Sequence, residues 1–324
     1  MTSTVAAKTA PAELSCYTAN LVDYLAVEGA DATGRLAGAI RLAVRTGPRD
    51  GAMAADLLFS QHERIDRDDP TRGLGYRGAR DWAETESALL AELRSHGRVL
   101  AVANTARLPW APTPPGGAAP HWILLRDRTR HGWQVVDRFA ALLPHGEQHA
   151  HEGALTDDQL RLAMTPVSSP PAAVRNRDAL ALGERTEVPD GAAYRWLRWE
   201  PATASVPDDG WVDHPVEALT LVADVLAGSE RALAAHLDDV WAATRHHRFR
   251  LTVLADRGLV PAEPLGPVLD AFAELPRALR FALDSARRGR PRPSLVRKTF
   301  AHLIAATEAL LADVPHALGK EQNR

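Results

Sequence analysis

The sequence predicts an α+β protein whose C-terminal third is a helical bundle. Three observations carry this. Helical periodicity near the N-terminus gives way, between Arg98 and Asp137, to short apolar runs bounded by turn residues. From Asp213 onward the pattern is helical throughout, punctuated by Pro261, Pro276, Pro291 and Pro293. Between the two lies a stretch broken by Pro166, Pro170 and Pro171. The expected organisation is a disordered N-terminus over 1–11, a mixed domain over 12–150, a connecting region over 151–212, and a helical bundle over 213–324.

Composition bounds the class. The chain has 324 residues, 45% hydrophobic and 24% charged, with a net charge of −3, as expected of a globular protein large enough for two cores. Near-neutral charge argues against general nucleic-acid binding. No run approaches the ~18 apolar residues of a membrane span, and residues 1–11 lack the apolar core of a signal peptide. One cysteine rules out an internal disulfide framework and a multi-cysteine zinc site, and fits a reducing cytoplasm. The Ala, Arg, Asp and Gly bias matches a high-GC bacterial genome.

That cysteine opens the first helix. Ser15 is a good N-cap, and Leu21, Val22 and Leu25 follow at helical spacing, so Cys16 falls in the first turn. Unpaired N–H groups and the helix dipole favour a thiolate at such a position. The helix is expected to end near Glu28 and Gly29, and a second to run over Thr33–Arg45, with Leu36, Ile40 and Val44 on one face. Leu57-Leu58-Phe59 opens a short strand, and Gly73 and Gly75 mark a turn. Asp81 caps a helix over Trp82–His96 that Gly97 ends, and Arg98–Asn104 is a strand.

A Pro- and Gly-rich loop then runs from Leu108 to Pro120. It delivers the strand His121–Asp127, which turns at Thr129–Gly132 and returns as Trp133–Asp137. Thr156 and Gln159 form a capping box, and Tyr194–Trp199 alternates like a strand returning to the sheet. Helices are expected over Val216–Ala227, Ser229–Leu254 (one long or two shorter), Pro264–Ser285 and Leu295–Leu318.

A thiolate nucleophile needs a histidine to accept and return a proton, and the histidine needs a third group to orient it. His121 starts one strand of the hairpin and Asp137 ends the other, which sets both at one rim of the sheet. Cys16, at a helix N-terminus packed against that rim, completes a candidate Cys–His–Asp triad. The alternative for Cys16 is a buried structural thiol.

The chain order Cys, His, Asp on a helix-then-sheet layout resembles the papain-like fold. His121-Trp122-Ile123-Leu124-Leu125 with Val135-Val136-Asp137-Arg138 resembles a segment of bacterial papain-like peptidases that cleave double-glycine leaders. A fuller pattern is similar to the N-terminal domain of the butirosin biosynthesis protein H family. It comprises Cys16-Tyr17 with Asn20-Leu21, then Gly97-Arg98-Val99-Leu100-Ala101-Val102, then Leu108-Pro109-Trp110, then His121-Trp122-Ile123. The similarity covers about residues 12–140; the helical half matches in type alone.

This resemblance implies a papain-like catalytic domain followed by a helical region. It implies a cytoplasmic acyltransferase of antibiotic biosynthesis that moves an acyl group from a carrier-protein thioester to an amine through acyl-Cys16. The implied partners are an acyl or peptidyl carrier protein and a small amine acceptor, with a homodimer also admitted. No cofactor is implied beyond the phosphopantetheine arm of the donor. Two departures bear on it. Papain-like peptidases carry an oxyanion Gln about six residues upstream of the nucleophile, where this chain has Ala10-Pro11-Ala12, and Arg138 stands where proline is usual. Both weaken a peptidase or amidase reading more than acyl transfer. Thioesterase activity, cyclisation and a non-catalytic scaffold stay open.

Further candidates surround the triad. Asn20, one turn past Cys16, is a candidate oxyanion or orienting group; the oxyanion alternative is the Cys16 backbone N–H. Tyr17, Trp110 and Trp122 are candidates to line the cleft. Arg287, Arg288, Arg290 and Arg292 form a basic cluster that suits an acidic carrier protein, or a solvated loop. No metal site is expected. His246 and His247 point about 100° apart on a helix, as on a solvated face, and His145, His149 and His151 read as a His-rich turn.

Overall fold

In the computed structural model the described residues are 14–26, 30–47, 57–67, 71–112, 118–143, 146–202, 210–314 and 317–318. The upstream Ala10-Pro11-Ala12, Gly29 and His145 lie outside them. The chain is a mixed α+β protein built on a six-stranded antiparallel sheet.

Helix α1 (Cys16–Leu25) starts at Ser15 through a reciprocal capping box: Thr18 N–H donates to Ser15 Oγ (3.3 Å), and Ser15 N–H donates to Thr18 Oγ1 (3.1 Å). It ends at Leu25, short of the expected Glu28. Helix α2 (Ala32–Ala39) also stops early, and the chain passes directly into β1 (Ile40–Thr46). The expected helix over Thr33–Arg45 is therefore corrected. Ile40, Leu42 and Val44 alternate with Arg41 and Arg45, a period of two, and β1 pairs with β2 (Leu57–His62). The buried Arg250 guanidinium donates to Ala37 O (2.6 Å), Gly38 O (3.1 Å) and Ile40 O (3.2 Å), satisfying carbonyls that the shortened helix leaves open.

Gly73 and Gly75 lie within β3 (Arg72–Ala79), not at a turn. A Cβ at Gly75 would meet the Glu200 carboxylate at 3.0 Å, so glycine there leaves room for that side chain. Helix α3 (Trp82–His96) runs from the Asp81 cap to Gly97 at φ 68°, where glycine takes the left-handed conformation without strain. Strands β4 (Val99–Asn104), β5 (Pro120–Thr129) and β6 (Gly132–Asp137) follow, then the short hairpin β7 (Ala141–Leu143) and β8 (Gly146–Gln148), and β9 (His151–Leu155). After α4 (Asp157–Ala163) and α5 (Ala172–Ala179), β10 (Tyr194–Pro201) returns. The sheet order is β3-β10-β4-β5-β6-β9, so the returning strand is inserted between β3 and β4 rather than added at an edge.

Alternation divides the sheet. Leu100, Val102, Trp122, Leu124 and Val136 face α1. Ala101, Ile123, Leu125, Trp133 and Val135 face α3 and α4. The remaining helices are α6 (Pro215–Gly228), α7 (Glu230–Asp256, one continuous helix), α8 (Leu265–Arg287) and α9 (Pro293–Asp313). Pro276 sits inside α8 instead of ending it. Leu42, Val44, Leu57 and Phe59 of β1 and β2 are buried with residues of α6, α7, α8 and α9, while Phe249 and Val253 of α7 are buried with α1. Helix α7 thus belongs to both cores. Among the described residues, no helix is long and apolar enough to cross a membrane.

Candidate active site

Each group of the Cys–His–Asp set is placed by an element that the sequence specifies locally. The Ser15–Thr18 box fixes where α1 begins and makes Cys16 its first residue, half-buried, with a backbone N–H outside the i→i−4 ladder. His121 is the second residue of β5 and Asp137 the last of β6, and pairing of Leu124 with Val136 brings them to the same end of the hairpin. His121 Nε2 lies 2.7 Å from Asp137 Oδ2. Cys16, at the start of α1, is near enough to this imidazole to add to the upward push that Asp137 exerts on its pKa.

Asp137 is fully buried and collects donors on both oxygens. Besides His121, Trp110 Nε1 (2.8 Å) and Gln148 Nε2 (3.2 Å) reach Oδ2, while Asn20 Nδ2 (3.1 Å) and the Phe139 N–H (3.0 Å) reach Oδ1. Burial alone would raise its pKa. The His121 charge and the bonds from His121, Trp110 and Asn20 outweigh burial and hold it below the ordinary carboxylate value. His121 answers in the opposite direction. Desolvation pushes it down, but Asp137 and then Cys16 push it harder, so it lies well above 6.5.

Asn20 is a positioning group. Its Nδ2 faces Cys16 O (3.0 Å), Trp122 O (2.7 Å) and Asp137 Oδ1, and its Oδ1 accepts the Arg138 N–H (2.9 Å). Both amide hydrogens are committed, which corrects its candidacy as an oxyanion donor. It ties the start of α1 to the ends of both hairpin strands. Trp122 does not line a cleft, because it is fully buried under α1, edge-on to Tyr17 at 5.0 Å. Tyr17 is buried as well, with its hydroxyl 3.4 Å from Pro120 O and from Asp178 Oδ1. Trp110 is the half-exposed aromatic at the site. It lies flat on His151, with centroids 4.0 Å apart and planes 5° apart, while donating to Asp137.

Sequence reading missed the contribution of α7. Arg245 Nη2 donates to Leu14 O (3.2 Å) and Ala140 O (3.0 Å), clipping together the backbones that lead into Cys16 and out of Asp137. Phe139 packs edge-on between His121 (5.7 Å) and Trp241 (6.3 Å). His246 meets Thr18 Oγ1 at 2.8 Å. His246 and His247 are buried, not on a solvated face. His246 also bonds Ala242 O (2.7 Å), and His247 stacks on Phe272, with burial pushing it down to about 3. His149 is exposed, and no group of three or more His, Cys, Asp or Glu suited to a metal occurs among the described residues.

Arg287, Arg288, Arg290 and Arg292 are exposed at the α8–α9 turn. Arg292 folds over Phe281 (5.4 Å) and donates to Ser285 Oγ (3.1 Å), which makes it part of the turn itself. No protein-family model matches the chain, and no curated protein matches it in sequence.

Proposed function

We propose that the protein is a cysteine-dependent acyltransferase with a papain-like catalytic domain followed by a helical bundle. The observation that carries this reading is His121 bonded to a buried Asp137 that accepts from four further donors, with Cys16 near enough to add to the upward push on the His121 pKa. A buried carboxylate with so many donors is costly to assemble and serves to hold one imidazole in one orientation and charge state.

Cys16, as thiolate, attacks a thioester carbonyl. The bond from carbonyl carbon to Sγ forms and the bond to the donor sulfur breaks. The departing thiolate, the phosphopantetheine arm of an acyl or peptidyl carrier protein, takes its proton from the His121 imidazolium. An amine then attacks acyl-Cys16, the C–N bond forms, the C–Sγ bond breaks, and His121 accepts the amine proton. Thiolate and imidazolium are restored. The Cys16 N–H stabilises the oxyanion. A thioester is already activated, so a nucleophile, a base and exclusion of water suffice. The Arg287, Arg288 and Arg290 cluster suits an acidic carrier protein, and a cytoplasmic location follows from such a donor.

The test is intact-protein mass after incubation with acyl-pantetheine thioesters, on wild type and on Cys16→Ala. One added acyl group on wild type alone is expected. Absence of an adduct, with iodoacetamide labelling no faster than a free thiol from about pH 6 to 9, overturns the reading and leaves the scaffold alternative. Adduct decay to free acid without an amine would identify a thioesterase.

A further inference from the structure

The base is bracketed by side chains of α1. Asn20 Nδ2 donates to Trp122 O (2.7 Å), the carbonyl that follows His121. The Tyr17 hydroxyl lies 3.4 Å from Pro120 O, the carbonyl that precedes it. Tyr17 in turn follows Cys16 in the chain, and its ring packs edge-on to Trp122 at 5.0 Å. One side chain beside the nucleophile therefore touches both chain neighbours of the base.

The hydroxyl is anchored at a second point. It also lies 3.4 Å from Asp178 Oδ1, so its one hydrogen is shared between two acceptors. Burial, and then the charge of Asp178, hold the Tyr17 pKa well above 10, which keeps the hydroxyl protonated and donating. Asp178 lies buried on α5 and is itself fixed by two strands of the sheet. Arg195 Nη1 of β10 donates to Oδ2 (2.6 Å), and the Tyr76 hydroxyl of β3 donates to Oδ1 (2.9 Å). A charged pair inside the fold is a poor device for stability alone, because apolar residues of the same volume do as well or better. It does fix geometry, and the geometry fixed here ends at the chain neighbour of Cys16.

We propose that Tyr17, anchored on Asp178, is a positioning residue that sets Cys16 at the start of α1 against His121 at the start of β5. The proposal rests on the acyltransfer reading and adds to it a second strut beside the one that Asn20 supplies. In the acylation step Cys16 holds the carbonyl carbon, and His121 must reach the sulfur leaving that carbon with a proton. The two groups sit on separate elements, and a misplacement of about 1 Å is enough to slow such a step severely. Asn20 and Tyr17 hold the two different carbonyls that flank His121, so neither strut replaces the other.

The experiment follows single-turnover acylation of Cys16 by mass on the full chain, with S-acetyl-N-acetylcysteamine and with S-phenyl thioacetate. The alkyl thiolate needs a proton to leave, whereas the aryl thiolate is a far weaker base and leaves without one. The ratio of the two rates therefore reads proton delivery by His121 and cancels any change in the Cys16 thiolate itself. Tyr17→Phe and Tyr76→Phe form a matched pair, because both rings pack edge-on to Trp122 and both hydroxyls meet Asp178. Tyr17→Phe is expected to lower the alkyl-to-aryl ratio about fivefold, the size of one neutral hydrogen bond. Tyr76→Phe should leave the ratio within about twofold, although it removes two shorter bonds and costs at least as much stability in denaturant unfolding. A ratio unmoved by Tyr17→Phe, or moved as far by Tyr76→Phe, overturns the positioning role and leaves the acyltransfer reading standing. A wild type acylated by neither thioester overturns both.

Discussion

Two histidines face opposite sides of one helix, and they are equally buried. His121 meets Cys16 and Asp137, and its pKa is driven well above 6.5. His246 meets Thr18, two residues further along α1, and its pKa is driven well below 6.5, first by desolvation and then by His62. Burial pushes both the same way, so the difference lies in what faces each ring. A carboxylate held charged by five donors reverses the effect of burial, whereas a hydroxyl and a carbonyl do not. Burial alone does not separate the two rings; the charge of the second partner does.

The sharpest way to break this comparison is to remove the carboxylate charge while keeping its shape. Asp137→Asn should lower acylation of Cys16 by about 10³–10⁴-fold, the scale seen when a catalytic imidazole loses its orienting carboxylate. Breaking a buried charged pair should also cost stability, on the order of 3–5 kcal/mol. Single-turnover acylation rates and denaturant unfolding measure the two. A loss under tenfold would mean that Asp137 is structural and that His121 needs no charge partner.

The pH dependence of stability separates the two histidines by sign. His121 binds its proton more tightly when folded, so its contribution is fully present below about 6.5 and is lost as pH rises through the raised folded value. Asp137 binds its proton less tightly when folded, so its contribution is present above about 4 and is lost as pH falls through its lowered value. The margin of wild type over Asp137→Asn should therefore be widest between about pH 4 and 6.5 and narrow above. His246 and His62 behave in reverse: the unfolded chain takes up protons that the folded state refuses, so stability falls with pH below about 6.5. His246→Gln should flatten that acid limb and leave the alkaline limb in place. Thermal unfolding across pH 4–9 reads both limbs, and a variant that shifts the wrong limb refutes the assignment of its histidine.

The legibility of this arrangement in the sequence follows the range of the interactions. Ser15 before Cys16, the hairpin turn at Thr129–Gly132, and Asp81 with Gly97 are local devices, and each acts where it is read. The placement of His121 and Asp137 needed only strand pairing. Reading failed at Ile40–Thr46, where Leu36, Ile40 and Val44 satisfy a helical stripe while Ile40, Leu42 and Val44 satisfy a strand. Tertiary context decides between two valid periods: β2 offers a pairing partner, and Arg250 closes α2 from more than two hundred residues away. The same distance hid the part played by α7. Nothing within a few residues of Arg245 or His246 announces that they meet the start of α1, and adjacent histidines on a helix look alike whether or not a distant part of the chain covers them.

Smaller changes sharpen the contrast from each side. Trp110→Phe removes one of the donors on Asp137 and keeps the ring that lies on His151. His121 and Asn20 still bind the carboxylate, so acylation should fall about tenfold, with the size of one charge-assisted hydrogen bond. On the other side of α1, Thr18→Val removes the bonds of its hydroxyl to Ser15, among them the one from Ser15 N–H in the capping box, and the one to His246 Nε2. The Ser15 cap still accepts from the backbone N–H of residue 18, so losing the reciprocal half of the box costs up to about 1 kcal/mol, and a buried imidazole nitrogen left without a partner adds a similar amount. Unfolding should register roughly 2 kcal/mol. The catalytic consequence is the informative part. If the helix start is fixed mainly by the box, Cys16 becomes looser and acylation slows with stability. If Asn20 and Arg245 hold that start on their own, the rate stays within about twofold of wild type while stability falls. The Asn20 bonds to Cys16 O and Trp122 O, and the Arg245 bond to Leu14 O, favour the second outcome. The nucleophile is then positioned from the hairpin and from α7, and the box serves folding rather than chemistry.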